Sequence, residues 1–353
     1  MKFNGDKITV EVYGTSHASE IGVNFSGFPK FRIDRTKLSE FMSRRSAKNA
    51  AYSTSRIEPD EPVFVSGVDN DEIVGNVHAV IYNKNVRSGD YNELYAKPRP
   101  SHADYAAYCK DGRLDFSGGG EFSGRLTAPL CIAGGIAKQI LEKRGVKVCA
   151  YVGEIGGVKA KSYKTEAVTC DEIEKTVGLP ALGNVPALEA KILEAKTSGD
   201  SVGGVVECIV EGFPAGVGNA LFGGLESKIS SAVFGIPAVK GVEFGDGFNL
   251  AAEFGSEAND PIRVENGVFY TETNRSGGIN GGISNGMPIT LSVAFRPTPS
   301  IAKPQKTVDL VKKENVVIAI KGRHDACIVP RAVPVVEAAV AIALLDELEN
   351  SEK

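Results

Sequence analysis

The sequence predicts an α+β protein in which a layer of buried helices is covered by sheet on more than one side. Three observations predict it. Segments 125–143 and 332–348 are rich in Ala, Val, Ile and Leu on nearly every face, with charge mostly at their ends, and a helix apolar all round belongs in the interior. Short β-branched runs recur along the whole chain. The chain also repeats a pattern. Ile21-Gly-Val-Asn-Phe-Ser-Gly-Phe-Pro29 precedes one helical stretch, and Val206-Glu-Cys-Ile-Val-Glu-Gly-Phe-Pro214 precedes another. Strand, Gly-Phe-Pro and helix in both places predict one domain, 1–353, built of two intertwined halves, roughly 1–150 and 151–353, with an internal pseudo-twofold repeat.

In order, strands are expected at 8–13, 21–25, 63–66, 74–82, 146–152, 202–210, 239–244, 289–294 and 316–320. Helices are expected at 36–45, 125–143, 187–195, 225–234 and 332–348, where apolar residues recur at helical spacing. Pro330 and Pro334 suit the opening of the last helix, where a missing N–H costs little.

Hydrophobic content of 42% and charged content of 24% are ordinary globular values, enough for a sizeable core. A net charge of −4 argues against nucleic-acid binding, which needs a basic face. An anionic substrate must therefore be met by local clusters of Arg and Lys. Six scattered cysteines with no CxxC pattern predict neither disulfides nor a metal site and fit a reducing cytoplasm. The first residues have no apolar signal core, and no apolar run reaches the ~20 residues of a membrane span. Forty glycines, about 11% against a usual ~7%, cluster in pairs and predict tight turns or backbone pressed against a ligand.

Six segments could carry chemistry. Lys321-Gly-Arg-His-Asp-Ala-Cys-Ile-Val-Pro-Arg331 runs straight into the last apolar helix, which would hold an anion site rigid; alone, it also reads as a charged turn. Tyr13-Gly-Thr-Ser-His-Ala18 has the form of a nucleophile elbow, but an elbow serine follows several strands, and only one precedes Ser16. Arg99-Pro-Ser-His-Ala-Asp-Tyr105 places Asp104 where it can orient His102. Phe116-Ser-Gly-Gly-Gly-Glu-Phe-Ser-Gly-Arg-Leu-Thr127 is a glycine loop entering a buried helix, a setting that favours phosphate, without a Walker or dinucleotide fingerprint. Ser43-Arg-Arg-Ser-Ala-Lys48 with Arg56 is a basic run, also readable as a solvated helix end. Gly277-Gly-Ile-Asn-Gly-Gly-Ile-Ser-Asn-Gly286 leads through a strand to Arg296-Pro-Thr-Pro-Ser300. Of the four histidines, His17, His102 and His324 lie in such loops, where a titrating imidazole is useful, whereas His78 sits in a strand pattern and reads as structural.

These motifs, with Ala238-Val-Lys-Gly-Val-Glu-Phe-Gly-Asp-Gly-Phe248, occur in an order that resembles the chorismate synthase family over residues 14–348. The resemblance implies a β-α-β sandwich with helices between two antiparallel sheets, and a homotetramer. It implies anti-1,4 elimination of phosphate from 5-enolpyruvylshikimate 3-phosphate with reduced FMN, in a reaction without net redox change. His17 matches the histidine that protonates the departing phosphate, His102 the one near flavin N1, and Asp325 the aspartate that helps flavin N5 take up the substrate proton. Ser16 and Ser123 match serines that tune those groups. Glu121, Phe122, Ser123, Pro237, Ala238, Gly281, Arg296, Pro297, Thr298, Pro299, Ser300 and Arg323 fall where the family lines its FMN pocket. Arg44, Arg45, Lys48, Arg125 and Arg331 are the substrate-binding candidates.

The chain departs from the family pattern at several positions. Gly-Glu-Ser-His-Gly is here Gly14-Thr-Ser-His-Ala18, the triple arginine ends in Ser46, and an expected arginine is Ala51. Arg-Ser-Ser of the glycine loop is Glu121-Phe122-Ser123, so positive charge is lost and an acid gained. Lys48 is the candidate to replace the arginine missing at Ala51, and Arg44, Lys48 and Arg125 are the partners available to Glu121. These departures favour the alternative reading, a catalytically weak paralogue that binds flavin or an anionic metabolite. A serine hydrolase acting through Ser16 is a more distant one. The sequence leaves open whether the chain reduces its own flavin with NAD(P)H; the lack of a dinucleotide fingerprint favours an external reductase.

Overall fold

The computed structural model describes residues 1–16, 18–46, 60–83, 94–116, 118–320 and 325–351. The first half comprises β1 (Lys2–Asn4), β2 (Thr9–Gly14), β3 (Glu20–Ser26), α1 (Arg35–Arg45), β4 (Val63–Asp69), β5 (Glu72–Tyr82), α2 (Asp104–Asp111) and α3 (Thr127–Lys143). The second continues with β6 (Lys147–Ile155), β7 (Val158–Lys159), α4 (Cys170–Glu174), α5 (Val185–Thr197), β8 (Gly204–Glu211), α6 (Leu225–Phe234) and β9 (Val239–Phe244). After α7 (Gly255–Ala258) come two hairpins, β10 (Ile262–Glu265) with β11 (Val268–Thr271) and β12 (Ile279–Asn280) with β13 (Ile283–Ser284). The chain closes with β14 (Ile289–Phe295), the hairpin of β15 (Gln305–Asp309) and β16 (Glu314–Ile318), and α8 (Val329–Ser351).

Two five-stranded sheets result, ordered β1-β2-β3-β5-β4 and β7-β6-β8-β14-β9. Every neighbouring pair is antiparallel. The connectivity occurs twice. The series β2, β3, α1, β4, β5, α3 corresponds to β6, β8, α6, β9, β14, α8, and in both sheets the fourth strand inserts between the second and third. The shared Gly-Phe-Pro has a backbone cause. Gly27 and Gly212 both sit at positive φ (83° and 76°), where a Cβ would lie 2.0 Å from the Lys7 carbonyl oxygen and 2.2 Å from that of Gly145. Each strand therefore leaves its sheet through a turn that only glycine fits.

Between the sheets lie the apolar helices. α3 packs on β2, β3 and β5, α8 on β6 and β8, and the two helices pack on each other, with α1 across both and α6 against α8. Ala, Val, Ile and Leu on all sides let both helices bury every face, as their composition predicts. β6 is buried on both faces, because the segment carrying α4 covers its outer side through Cys170 and Ile173 on Cys149, Tyr151 and Ile209. α8 begins three residues before the expected start, so Pro330 opens it and Pro334 lies inside it. His78 is on β5, its Nε2 2.7 Å from the Tyr13 hydroxyl. Among the described residues, no helix is long and apolar enough to cross a membrane.

Candidate active site

The C-terminal end of α1 and the N-terminal ends of α3 and α8 meet at one side of the helical layer. The ends of β9 and β14 close the same space. A cavity of about 740 Å³ opens there, well within the size of small-molecule sites. Among the described residues, six cationic side chains line it, from Arg45, Arg99, Arg125, Lys240, Arg296 and Arg331, against three carboxylates, Asp60, Glu121 and Asp325. Two helix N-termini add partial positive charge. A chain of net charge −4 thus concentrates positive charge in one concave place, as an anionic ligand requires. Ile236, Pro237, Ala238, Val239, Phe295, Phe122 and Val335 supply an apolar wall beside it.

One imidazole is held in a fixed orientation. His102 Nδ1 lies 2.5 Å from Asp104 Oδ1, which assigns the ring proton to Nδ1 and leaves Nε2 for the cavity. Asp104 starts α2 and is itself clamped by Arg99, through Nε at 2.7 Å, Nη2 at 2.8 Å and the backbone N–H at 2.9 Å. Burial pushes the Asp104 carboxyl up, but the hydrogen bonds from Arg99 and then His102 outweigh it and bring the pKa down to about 2. Arg99 also donates to the carbonyl of Gly118 at 2.6 Å, tying this unit to the glycine loop. The sequence signal for this clamp is Arg99 five residues before Asp104 in Arg99-Pro-Ser-His-Ala-Asp-Tyr105.

A second cluster carries the charge. Arg45, 4% exposed, donates to Thr127 Oγ1 (2.9 Å), the Gly124 carbonyl (3.0 Å) and Asp60 (2.5 Å). Burial lowers the Arg45 pKa, with the Asp60 charge opposing it. Arg125 pairs with the other oxygen of Asp60 and with Asn83. Arg331 donates to the Arg45 carbonyl at 3.0 Å and to Asp325 Oδ2 at 2.5 Å, while Thr298 Oγ1 donates to the Asp325 carbonyl at 3.0 Å. Asp60, Thr127 and Lys240 were not foreseen as site residues. Thr127 closes the glycine-loop segment and Lys240 lies within Ala238–Phe248, whereas nothing around Asp60 in sequence marks it.

The structure brings His102, Glu121, Phe122, Ser123, Pro237, Ala238, Arg296, Thr298, Pro299, Ser300, Asp325, Arg45, Arg125 and Arg331 together on this wall. Ser123 Oγ accepts the Arg125 backbone N–H at 3.2 Å, capping the turn that leads into α3. Ser16 is buried behind the glycine loop, its Oγ 3.4 Å from the Gly119 amide nitrogen. Pro297 and Gly281 are not on the wall; Gly281 is exposed in the β12–β13 turn. Arg44 is also elsewhere and pairs with Glu337. Consecutive residues on a helix point about 100° apart, so Arg44 and Arg45 cannot face one cavity. Glu121 pairs with Arg113 at 3.1 Å; of the expected partners inside the described residues, Arg44 pairs with Glu337 and Arg125 with Asp60. His17, Lys48, Ala51, Arg56, Arg323 and His324 lie outside the described residues.

An oriented imidazole beside clustered guanidiniums, at the junction of two sheets and their buried helices, defines an enzyme acting on an anionic metabolite. The sequence matches the family model for chorismate synthase over residues 8–348. Chorismate synthase of Thermococcus gammatolerans is 44% identical over 352 residues, covering 98% of this chain and 96% of that one. That of Korarchaeum cryptofilum is 42% identical over 350 residues, covering 98% and 97%. A crystal structure of chorismate synthase superposes with a TM-score of 0.73 at 24% identity, over 98% of this chain and 92% of that one, a likeness of fold. The chain belongs to the chorismate synthase family, lyases of the shikimate pathway that form chorismate.

Proposed function

We infer that the cavity holds 5-enolpyruvylshikimate 3-phosphate against reduced FMN, and that His102, Asp325 and the arginines perform the elimination of phosphate. The observation that carries this reading is the His102–Asp104–Arg99 unit at the edge of a cationic cavity with an apolar wall. The residues present fit a flavin. Ile236 to Val239 and Phe295 offer a flat apolar face, and Lys240 and Arg296, next to them in the chain, offer charge for a terminal phosphate. Reduced FMN, when bound, supplies an electron-rich ring that no side chain offers.

The chain's own groups do the rest. Substrate carboxylates and phosphate meet Arg331, Arg125 and Arg45, and stabilising the departing phosphate lowers the barrier. His102, with Nδ1 engaged by Asp104, exchanges a proton at Nε2. Asp325, held at Oδ2 by Arg331, is the carboxylate on the wall to which a proton leaving C6 is passed. His17 is the candidate acid for the phosphate oxygen by its place in Gly14-Thr-Ser-His-Ala18. The apolar wall limits water around the reacting ring.

The test is an anaerobic assay with the ester and chemically reduced FMN, expected to give phosphate and chorismate in equal amounts. Oxidised FMN should bind without turnover, and phosphate release in air with no reductant would overturn the flavin requirement. The homotetramer implied by the resemblance draws support from exposed Phe248, Phe254 and Phe269 (84%, 78% and 75%), and light scattering tests it. An external NAD(P)H-dependent reductase supplying the flavin, and a cytoplasmic location, complete the proposal.

A further inference from the structure

Arg45 and Arg125 are both buried, and they share one carboxylate. Asp60, with a side chain 4% exposed, accepts Arg45 Nη1 on Oδ2 at 2.5 Å and Arg125 Nη1 on Oδ1. Neutral atoms take further bonds: Thr127 Oγ1 and the Gly124 carbonyl for Arg45, and Asn83 Oδ1 for Arg125, at 3.1 Å from Nε and 3.0 Å from Nη2. Among the described residues, these two guanidiniums share this one carboxylate where little water screens the charges.

The geometry points to Asp60 as the residue that sets how strongly this cavity holds a small oxyanion. It is a counter-ion shared by both arginines and takes N–H donors that a phosphate group would otherwise occupy. This inference rests on the anion site proposed above and deepens it by assigning discrimination between two ligands. The ester has carboxylates and a ring through which to be held, whereas the inorganic phosphate it releases has charge alone. Neutralising Asp60 strengthens the hold on free phosphate most, and retaining it lets that product leave.

The test titrates inorganic phosphate calorimetrically, at fixed ionic strength, into the full chain as wild type, Asp60→Asn and Asn83→Asp. Asn83→Asp adds to Arg125 the kind of charge that Asp60→Asn removes. Asp60→Asn should bind phosphate about tenfold tighter or more, and Asn83→Asp about tenfold weaker. Product inhibition by phosphate should shift the same way, with KM for the ester moving less. Phosphate binding by Asp60→Asn that is equal to wild type or weaker overturns the inference, as does wild-type affinity in Asn83→Asp. If Asp60→Asn fails to fold, Asn83→Asp decides. Affinities that shift as expected in a chain that makes no chorismate would sink the proposed function and leave this inference standing.

Discussion

Arg44 and Glu337 meet inside the helical layer in a two-pronged pair, Nη2 to Oε1 at 2.7 Å and Nη1 to Oε2 at 2.8 Å. Lys138 Nζ adds a bond to Oε2 at 2.8 Å, and the Ala150 amide one to Oε1 at 2.9 Å. One carboxylate on α8 thereby ties together α1, α3 and β6. Burial pushes the Glu337 carboxyl up, but the charges of Arg44 and Lys138 prevail and hold it at about 2.

Glu337→Gln should lower stability by about 3 kcal/mol, the lower end for a broken buried pair because Arg44 is 37% exposed. The pH dependence follows from the depressed pKa. The stabilisation is present above the unfolded carboxylate value of about 4.3 and is lost as pH falls toward about 2. Urea midpoints measured between about pH 6 and about pH 2.5 should fall more steeply in the wild type than in the variant, and parallel profiles would refute the assignment.

His102→Ala should lower kcat by roughly 10²–10⁴, the usual contribution of a positioned acid or base, with Tm almost unchanged. Asp104→Asn should lower kcat by a smaller factor and shift its pH profile, because the ring loses the partner that fixes its tautomer. Normal turnover in the His102 variant would remove it from the mechanism. His17→Ala carries the same expectation from its motif.

Arg331→Ala should raise KM for the ester about tenfold or more, equivalent to ~1.4 kcal/mol. Its guanidinium lines the cavity and pairs with Asp325. Glu121→Ala should leave KM within about twofold, because the acid is 44% exposed and already paired with Arg113. Steady-state kinetics on both variants checks the contrast, and a large Glu121 effect would mean that the acid meets the substrate.

Gly27→Ala and Gly212→Ala should each cost about 3 kcal/mol, since a Cβ would crowd a backbone carbonyl and the φ is left-handed at both. Thermal unfolding measures this, and a silent substitution at either position would break the equivalence of the two halves.

Some of this protein was determined by local sequence alone. All-round apolar composition over 125–143 and 332–348 marked two helices as interior, and Gly-Phe-Pro marked two turns that glycine alone fits, because burial and turn geometry are local demands on residue type. Loop motifs carried His102, Asp104 and the glycine loop, and the family resemblance added the roles. Tertiary structure alone decided how charges are paired. Nothing local to residue 60 says that it bridges Arg45 and Arg125, nothing in the run Ser43-Arg-Arg-Ser46 says which arginine faces the cavity, and nothing around Glu121 says that it pairs with Arg113. Coulomb attraction acts through space between chain-distant groups, so only the packing of α1, α3 and α8 could assign each charge its partner.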